Sequence, residues 1–180
     1  MIKVKNISKS FGKNNVLKNI SFNVNKGDSL AIVGKSGAGK SVLLKSLIGL
    51  IDIDEGEIII DDENIRDMKF KEIQQIRSKV GMVFQFGALF DSMSVYDNIS
   101  LALENRKIPK NEQDELIGSY LEEVGMGGTE HLMPSELSGG MKKRVGIARS
   151  IAMKPTYLLY DEPTTGLDPV MTDSINTVSY

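Results

Sequence analysis

The sequence predicts an α/β fold, and three observations carry that prediction. Residues 29–33 (Ser29, Leu30, Ala31, Ile32, Val33) and 157–160 (Tyr157, Leu158, Leu159, Tyr160) are apolar runs with the length of buried strands. Each runs directly into a polar turn rather than into a hairpin partner. The chain between them carries stretches of helical periodicity, the alternation expected when parallel strands are joined through helices.

In chain order, residues 2–9 and 16–25 read as the two strands of an antiparallel N-terminal sheet. After the run at 29–33 stand Gly34, Lys35, Ser36, Gly37, Ala38, Gly39, Lys40 and Ser41, which fill the pattern Gly-x-x-x-x-Gly-Lys-Ser/Thr. Residues 42–50 then read as a helix with little polar surface. In a strand–loop–helix context the glycines let the backbone wrap phosphate, and the loop N–H groups and helix N-terminus face the β-phosphate. Lys40 would reach the β- and γ-phosphates and the Ser41 hydroxyl would ligate Mg²⁺, so ATP and Mg²⁺ are the expected cofactors. The competing reading is a glycine-rich turn that binds nothing.

Residues 80–84 read as a further strand, followed by Gln85, which taken alone suggests only a loop. Helical patterns near 95–104 and 112–124, closed by Gly125, Met126, Gly127 and Gly128, suit a helical insert. Leu137, Ser138, Gly139, Gly140 and Met141 open a helix with Ser138 as its cap. Met141, Val145, Ala148 and Ala152 recur at helical spacing, and Lys142, Lys143, Arg144 and Arg149 fall mostly on the opposite face. The two glycines allow an anion close to the helix N-terminus, although an ordinary serine-capped helix fits the pattern too. Asp161 and Glu162 follow the strand at 157–160. In an open α/β sheet ligands collect at the carboxyl ends of strands, which brings this pair beside the phosphate loop. There Asp161 would hold the Mg²⁺ shell and Glu162 would polarise the attacking water. Standing alone, such a pair would read as a solvated turn.

Taken together and in this order, these motifs resemble the nucleotide-binding domain of an ABC transporter, from residue 2 to about residue 176. The resemblance implies a P-loop NTPase core with an N-terminal antiparallel β subdomain and an inserted α-helical subdomain at about 86–153, all within one domain spanning 1–180. It makes 34–41 the Walker A loop, Gln85 the Q-loop glutamine that serves catalysis and Mg²⁺, and Asp161 and Glu162 the Walker B pair. Ser138, Gly139 and Gly140 become the signature that acts in trans on a second copy's ATP. Thr165, Gly166, Leu167 and Asp168 become the D-loop. Phe11 stands where the family places an aromatic residue against adenine, or else it is a core aromatic of the N-terminal sheet.

One segment narrows the resemblance. Gly87, Ala88, Leu89, Phe90, Asp91 and Ser92 are similar to the corresponding stretch in ATPases of MCE-associated lipid transporters, including the bacterial Mla system. This implies lipid transport across the cell envelope, a membrane permease subunit as partner, a homodimer of ATPase subunits and an MCE-type lipid-binding protein. Leu89 and Phe90 either contact a cytoplasmic helix of the membrane subunit or fold back onto the helical insert.

Composition bounds the rest. At 180 residues the chain holds one substantial core and is too short for two ATPase domains. Lys plus Arg number 22 against 24 Asp plus Glu, so no overall basic field exists to hold a polyanion, and nucleic acid is not an expected partner. No apolar run reaches the length of a membrane span and the N-terminus lacks a signal-peptide core, which points to the cytoplasmic face of the inner membrane, reached through the permease. Without cysteine, thiol chemistry is excluded.

The family pattern continues beyond Asp168 into a helix, a strand and a γ-phosphate histidine, so the resemblance implies a chain cut short at Tyr180, with residues 176–180 the first turns of an interrupted helix. The single histidine, His131, precedes the signature and reads as a solvated residue of the helical insert. Three functions follow as expectations: an ATP-hydrolysing transporter subunit, a remnant that binds nucleotide without turning it over, and a soluble ABC ATPase of DNA repair or translation. The last usually carries paired domains or long insertions, which this chain lacks.

Overall fold

The computed structural model describes residues 1–84 and 87–161. Gln85, Glu162, the D-loop with Asp168, and residues 176–180 lie outside the described residues. The chain divides into two compact units, Met1–Ser78 and Lys79–Tyr180.

In the first unit β1 (Ile2–Phe11) pairs antiparallel with β2 (Asn14–Val24). On its other edge β1 pairs with β3 (Glu55–Ile60), and the short β4 (Glu63–Asn64) completes a four-stranded sheet of order β2-β1-β3-β4. Buried Ile2 and Val4 alternate along β1 as a half-buried strand requires, but the next buried residue is Ile7. Asn6, with φ 49, marks a register shift between Val4 and Ile7, and this bulge restores the inward face after one extra residue. Ile58 and Ile60 of β3 and Leu17 of β2 complete that layer.

Helix α1 (Lys40–Leu47) starts two residues before the expected 42–50 and ends sooner. Its end is a Schellman turn on Gly49, φ 62: the Gly49 N–H donates to Ser46 O at 3.0 Å and the Leu50 N–H to Lys45 O at 2.9 Å. Helix α2 (Phe70–Lys79) sends Arg77 back to this terminus, where Nε donates to Ile48 O at 3.0 Å and Nη2 to Gly49 O at 2.8 Å. No sequence expectation covered β3, β4 or α2, although the run Ile58, Ile59, Ile60 was a visible signal of β3.

The strand expected at 29–33 does not form. Leu30 and Val33 are exposed, Val33 to 92 %, and no strand is assigned there. An apolar run becomes a buried strand only when a neighbouring edge pairs with it, and the sheet of this unit is made without it.

The second unit holds the expected strands: β5 (Val80–Val83) and β6 (Tyr157–Tyr160) pair in parallel, Val80 against Tyr157 and Val83 against Tyr160. Among the described residues β6 is paired on that edge alone, and only Tyr157 is buried while the other three are half-buried. Helices α3 (Val95–Asn105), α4 (Lys110–Glu123) and α5 (Gly139–Ala152) match the expected pattern. Helix α3 opens with a capping box in which Ser94 and Asp97 satisfy each other's backbone N–H groups. Val95, Ile99, Leu103, Ile117, Leu121 and Val145 form the helical core.

The expected polar face of α5 is corrected. Lys143 is only 2 % exposed, and Gly146, Ile147 and Ser150 are buried alongside Val145, Ala148 and Ala152. The helix is central rather than peripheral: its apolar stripe packs on α3 and α4 while Ser150 Oγ donates to Met82 O of β5 at 3.2 Å. Amphipathic patterning describes a helix with one wet face, which α5 does not have.

Candidate functional site

The phosphate loop is shaped by β2 and by its own lysine. Gly39 caps α1 with φ 92, and a Cβ there would stand 2.8 Å from Val16 Cγ1 and 3.2 Å from Val16 O. Only glycine satisfies both the left-handed backbone and that contact. Gly37 is also left-handed, φ 78, so two of the three residues before the helix hold the backbone conformation that favours glycine. Lys40 Nζ donates to Gly34 O at 2.9 Å and to Lys35 O at 3.2 Å, which places the ammonium inside the curve of the loop. Ser41 follows in the first turn of α1. A curved backbone, an inward cation and a helix N-terminus are the donor set that a polyphosphate fits, since each presents positive potential to the same volume.

Phe11 ends β1 opposite Asn14 and is 50 % exposed, with Lys9 Nζ 5.5 Å from its ring centroid. It is therefore not a core aromatic. His131 is exposed, as expected of a solvated residue.

In the second unit the parallel register brings the carboxyl ends of β5 and β6 together, and the Asp161 N–H donates to Val83 O at 3.0 Å. Asp161 is buried at that edge. At the start of α5 the Ser138 hydroxyl accepts the Met141 N–H at 3.3 Å, the expected cap. Accepting that bond leaves the hydroxyl proton available for donation outward. Ser138 and Gly139 are exposed, and among the described residues a Cβ on Gly139 would meet nothing within 4 Å.

The segment that suggested a membrane partner is built more firmly than its sequence implies. Gly87, φ 76, lies so close to α5 that a Cβ would be 2.4 Å from Lys142 O, and a Cβ on Gly146 would be 2.7 Å from Gly87 O. Buried Asn98 on α3 accepts the Phe90 N–H at 2.8 Å and donates to the carbonyls of Phe90, Met93 and Ser94. Arg149 Nη2 donates to Ala88 O at 2.9 Å, and its guanidinium lies 5.8 Å from the Phe90 ring centroid. Burial draws the Arg149 pKa below the usual arginine value, although a guanidinium so far above neutrality stays charged. The two candidate contacts separate: Leu89 folds back onto the helical core while Phe90 stays 54 % exposed. Sequence reasoning missed Asn98, Arg149 and the Gly87–Gly146 contact. The glycines were visible, but nothing local paired two positions so distant in sequence.

Residues 17–165 match the profile of ABC transporters. The chain belongs to the ABC transporter family.

Three curated relatives carry different names. The probable ribonucleotide transport ATP-binding protein mkl of Mycobacterium leprae is 44% identical over 95% of this chain and 50% of its own. The methionine import ATP-binding protein MetN of Clostridium acetobutylicum is 45% identical over 97% of this chain and 55% of its own. The chloroplastic protein TRIGALACTOSYLDIACYLGLYCEROL 3 of Arabidopsis thaliana is 43% identical over 94% of this chain and 51% of its own. This chain thus spans about half the length of the curated relatives it matches. Among solved structures, the ATP-binding cassette MJ0796, as a post-hydrolysis dimer bound to ADP and Pi, superposes with a TM-score of 0.89 at 31% identity. That superposition covers 99% of this chain and 81% of the other. The expected cassette fold, a mixed α/β core with an antiparallel N-terminal sheet and helices, is therefore the observed one.

Proposed function

We propose that this chain is the ATP-binding and ATP-hydrolysing part of an ABC transporter, acting as one of two paired cassettes on a membrane permease. The observation that carries this reading is the loop at 34–41, where the left-handed Gly39 and the inward Lys40 ammonium make a phosphate cradle at the start of α1. Mg²⁺-bound ATP supplies the reactive γ-phosphoryl group. Lys40 would bind and orient the phosphates, Ser41, Asp161 and Gln85 would hold the ion, and Glu162 would orient the attacking water. Phe11, exposed beside Lys9, offers its ring to adenine. Ser138, Gly139 and Gly140 face the partner's nucleotide: a hydroxyl with a proton to give and a helix start with no side chain in the way suit an incoming phosphate. Asp168 of the D-loop would act at the same nucleotide shared between the two cassettes. Residues 86–153 form the helical subdomain of this single cassette. The protein sits on the cytoplasmic side of the membrane through its permease.

For cargo we favour a lipid, moved with an MCE-type lipid-binding protein. The segment 87–92 and a relative named for a galactolipid support it, against relatives named for ribonucleotide and methionine transport. Phosphate release from Mg²⁺-ATP tests the first reading: activity present in the unaltered chain and lost in both Lys40→Ala and Glu162→Gln supports it, and equal activity in all three refutes it. Cargo is decided by deleting the gene and measuring phospholipid exchange between membranes beside uptake of labelled methionine and ribonucleotide. A defect confined to uptake refutes the lipid reading.

A further inference from the structure

We propose that Lys9 and Asp54 are positioning residues for the base of the bound nucleotide: the carboxylate pins the Lys9 ammonium over one face of the Phe11 ring and leaves the opposite face for an electron-rich purine. The proposal rests on the reading of Phe11 as the platform for the base and deepens it by naming what prepares the ring.

A lysine on a sheet surface ordinarily carries its charge out into water, and a surface ion pair adds little to stability, so neither effect asks Lys9 to lie flat. It does lie flat: its side chain is 15 % exposed, against 44 % for Asp54. Lys9 and Phe11 stand two residues apart on β1, so their side chains leave the same side of the strand. Nζ lies over the ring, 5.5 Å from its centroid, within the range of a cation–π contact. Asp54 Oδ1 accepts from Lys9 Nζ at 2.8 Å while Oδ2 accepts the Ser10 N–H at 2.7 Å, so both oxygens of one carboxylate are spent on the two residues before Phe11. The backbone of Asp54 is held in turn: its N–H donates to Ser8 O at 2.9 Å, and its carbonyl accepts from Arg66 Nη2 at 3.0 Å.

A cation on one face of an aromatic ring draws π density toward itself, which makes the opposite face a better partner for an electron-rich ring stacked upon it. Phe11 keeps half of its surface exposed for such a partner. The platform is also tied to the phosphate loop, through β2. Phe11 pairs with Asn14 and Lys9 with Leu17, and the register shift between Lys9 and Ser10 makes Val16 the extra residue of a bulge. Val16 and Leu17 are the residues that stand closest to the Cβ position of Gly39. One short stretch of β2 therefore supports both the ring and the phosphate loop, and all of these residues belong to the same compact unit, Met1–Ser78. A nucleotide is the ligand that needs a stacking face and a phosphate cradle on one support.

Calorimetric titration of the full chain with ATP, CTP and inorganic tripolyphosphate, each with Mg²⁺, tests the proposal. Lys9→Met keeps the apolar stem and loses the charge, and it should weaken ATP by about two- to fivefold, CTP by less and tripolyphosphate not at all. Lys9→Arg should retain ATP affinity, because a guanidinium also serves as the cation over the ring. Asp54→Asn leaves the ammonium in place but releases it, so it should reproduce the pattern of Lys9→Met, and it decides the question should that variant fail to fold. In a Phe11→Ala background neither substitution should have a further effect on ATP, since the ring through which both act is gone. A loss in Lys9→Met that is equal for ATP and tripolyphosphate, or that persists undiminished beside Phe11→Ala, makes Lys9 a phosphate-attracting charge and overturns the proposal. ATP affinity unchanged in both Lys9→Met and Asp54→Asn, with Phe11→Ala lowering it, also overturns the proposal but leaves the Phe11 platform standing. ATP affinity unmoved by Phe11→Ala overturns the platform and the proposal together.

Discussion

Gly39→Ala perturbs the phosphate loop through two separable terms. The first is local: Gly39 has φ 92, and an L-residue in the left-handed region costs about 1–2 kcal/mol. The second is steric, because the new methyl would lie 2.8 Å from Val16 Cγ1 and 3.2 Å from Leu17 Cδ2 and Val16 O, and overpacking of this kind costs about 1–3 kcal/mol. Together they remove about 2–5 kcal/mol from a typical margin of about 5–15 kcal/mol. Val16→Ala takes away the closest of these contacts and leaves the backbone term untouched. In a double-mutant cycle it should therefore recover much of the steric part, a coupling of about 1–2 kcal/mol between the two sites. The assay is denaturant unfolding followed by circular dichroism, with ATP titration of the folded fraction. ATP affinity should fall in Gly39→Ala and return only partly in the double variant. A Gly39→Ala chain as stable as the original, or costs that simply add, would refute the account in which β2 holds the loop.

Lys40→Ala removes the ammonium that donates to Gly34 O at 2.9 Å and Lys35 O at 3.2 Å, and ATP affinity should drop at least about tenfold in a titration with Mg²⁺; equal binding would sink the cradle. Gly139→Ala meets nothing within 4 Å among the described residues, so unfolding should show it neutral or stabilising by up to about 1 kcal/mol, whereas ATP-driven dimerisation measured by light scattering should weaken; an unchanged dimer would remove Gly139 from the trans site. Asp54 accepts from Lys9 Nζ at 2.8 Å and from the Ser10 N–H at 2.7 Å, and these bonds, Lys9's first, hold its carboxyl below the usual value of 3.8. The unfolded chain then takes up its proton first as pH falls, so stability present above that value is lost through the acid range, and Asp54→Asn should flatten the loss below about pH 4; identical acid limbs in both chains would contradict it.

How legible each feature was in the sequence follows from the range of the interaction that fixes it. Ser138 and the helix it starts were readable because a cap is satisfied within three residues. The phosphate loop was readable because its pattern specifies backbone conformation residue by residue, and Gly37 and Gly39 are left-handed as such a loop requires. By contrast, the run at 29–33 has the composition of a strand but gains its ladder only from another segment, and composition alone did not supply one. Lys143 and Arg149 were misplaced for a related reason. Periodicity assigns a charged residue to solvent, whereas a helix enclosed on two sides must bury some charge and satisfy it with carbonyls, as Ala88 O does for Arg149.

Glycines in this chain serve two masters that a motif cannot distinguish. Gly39 and Gly87 answer to the chain's own packing: Val16 and the carbonyl of Lys142 occupy the space a side chain would need. Among the described residues Gly139 answers to nothing, since its missing side chain would point into open space. A residue that lowers helix propensity at an exposed helix start, with no contact among the described residues to require it, gains nothing for the isolated fold. Its smallness makes physical sense only toward something that approaches from outside, and the neighbouring Ser138 hydroxyl, already accepting from Met141, has its proton left for that same visitor. Reading the open glycine together with the half-satisfied hydroxyl is therefore stronger than reading either alone. One reports available space and the other an available donor, and a phosphate at a helix N-terminus needs both.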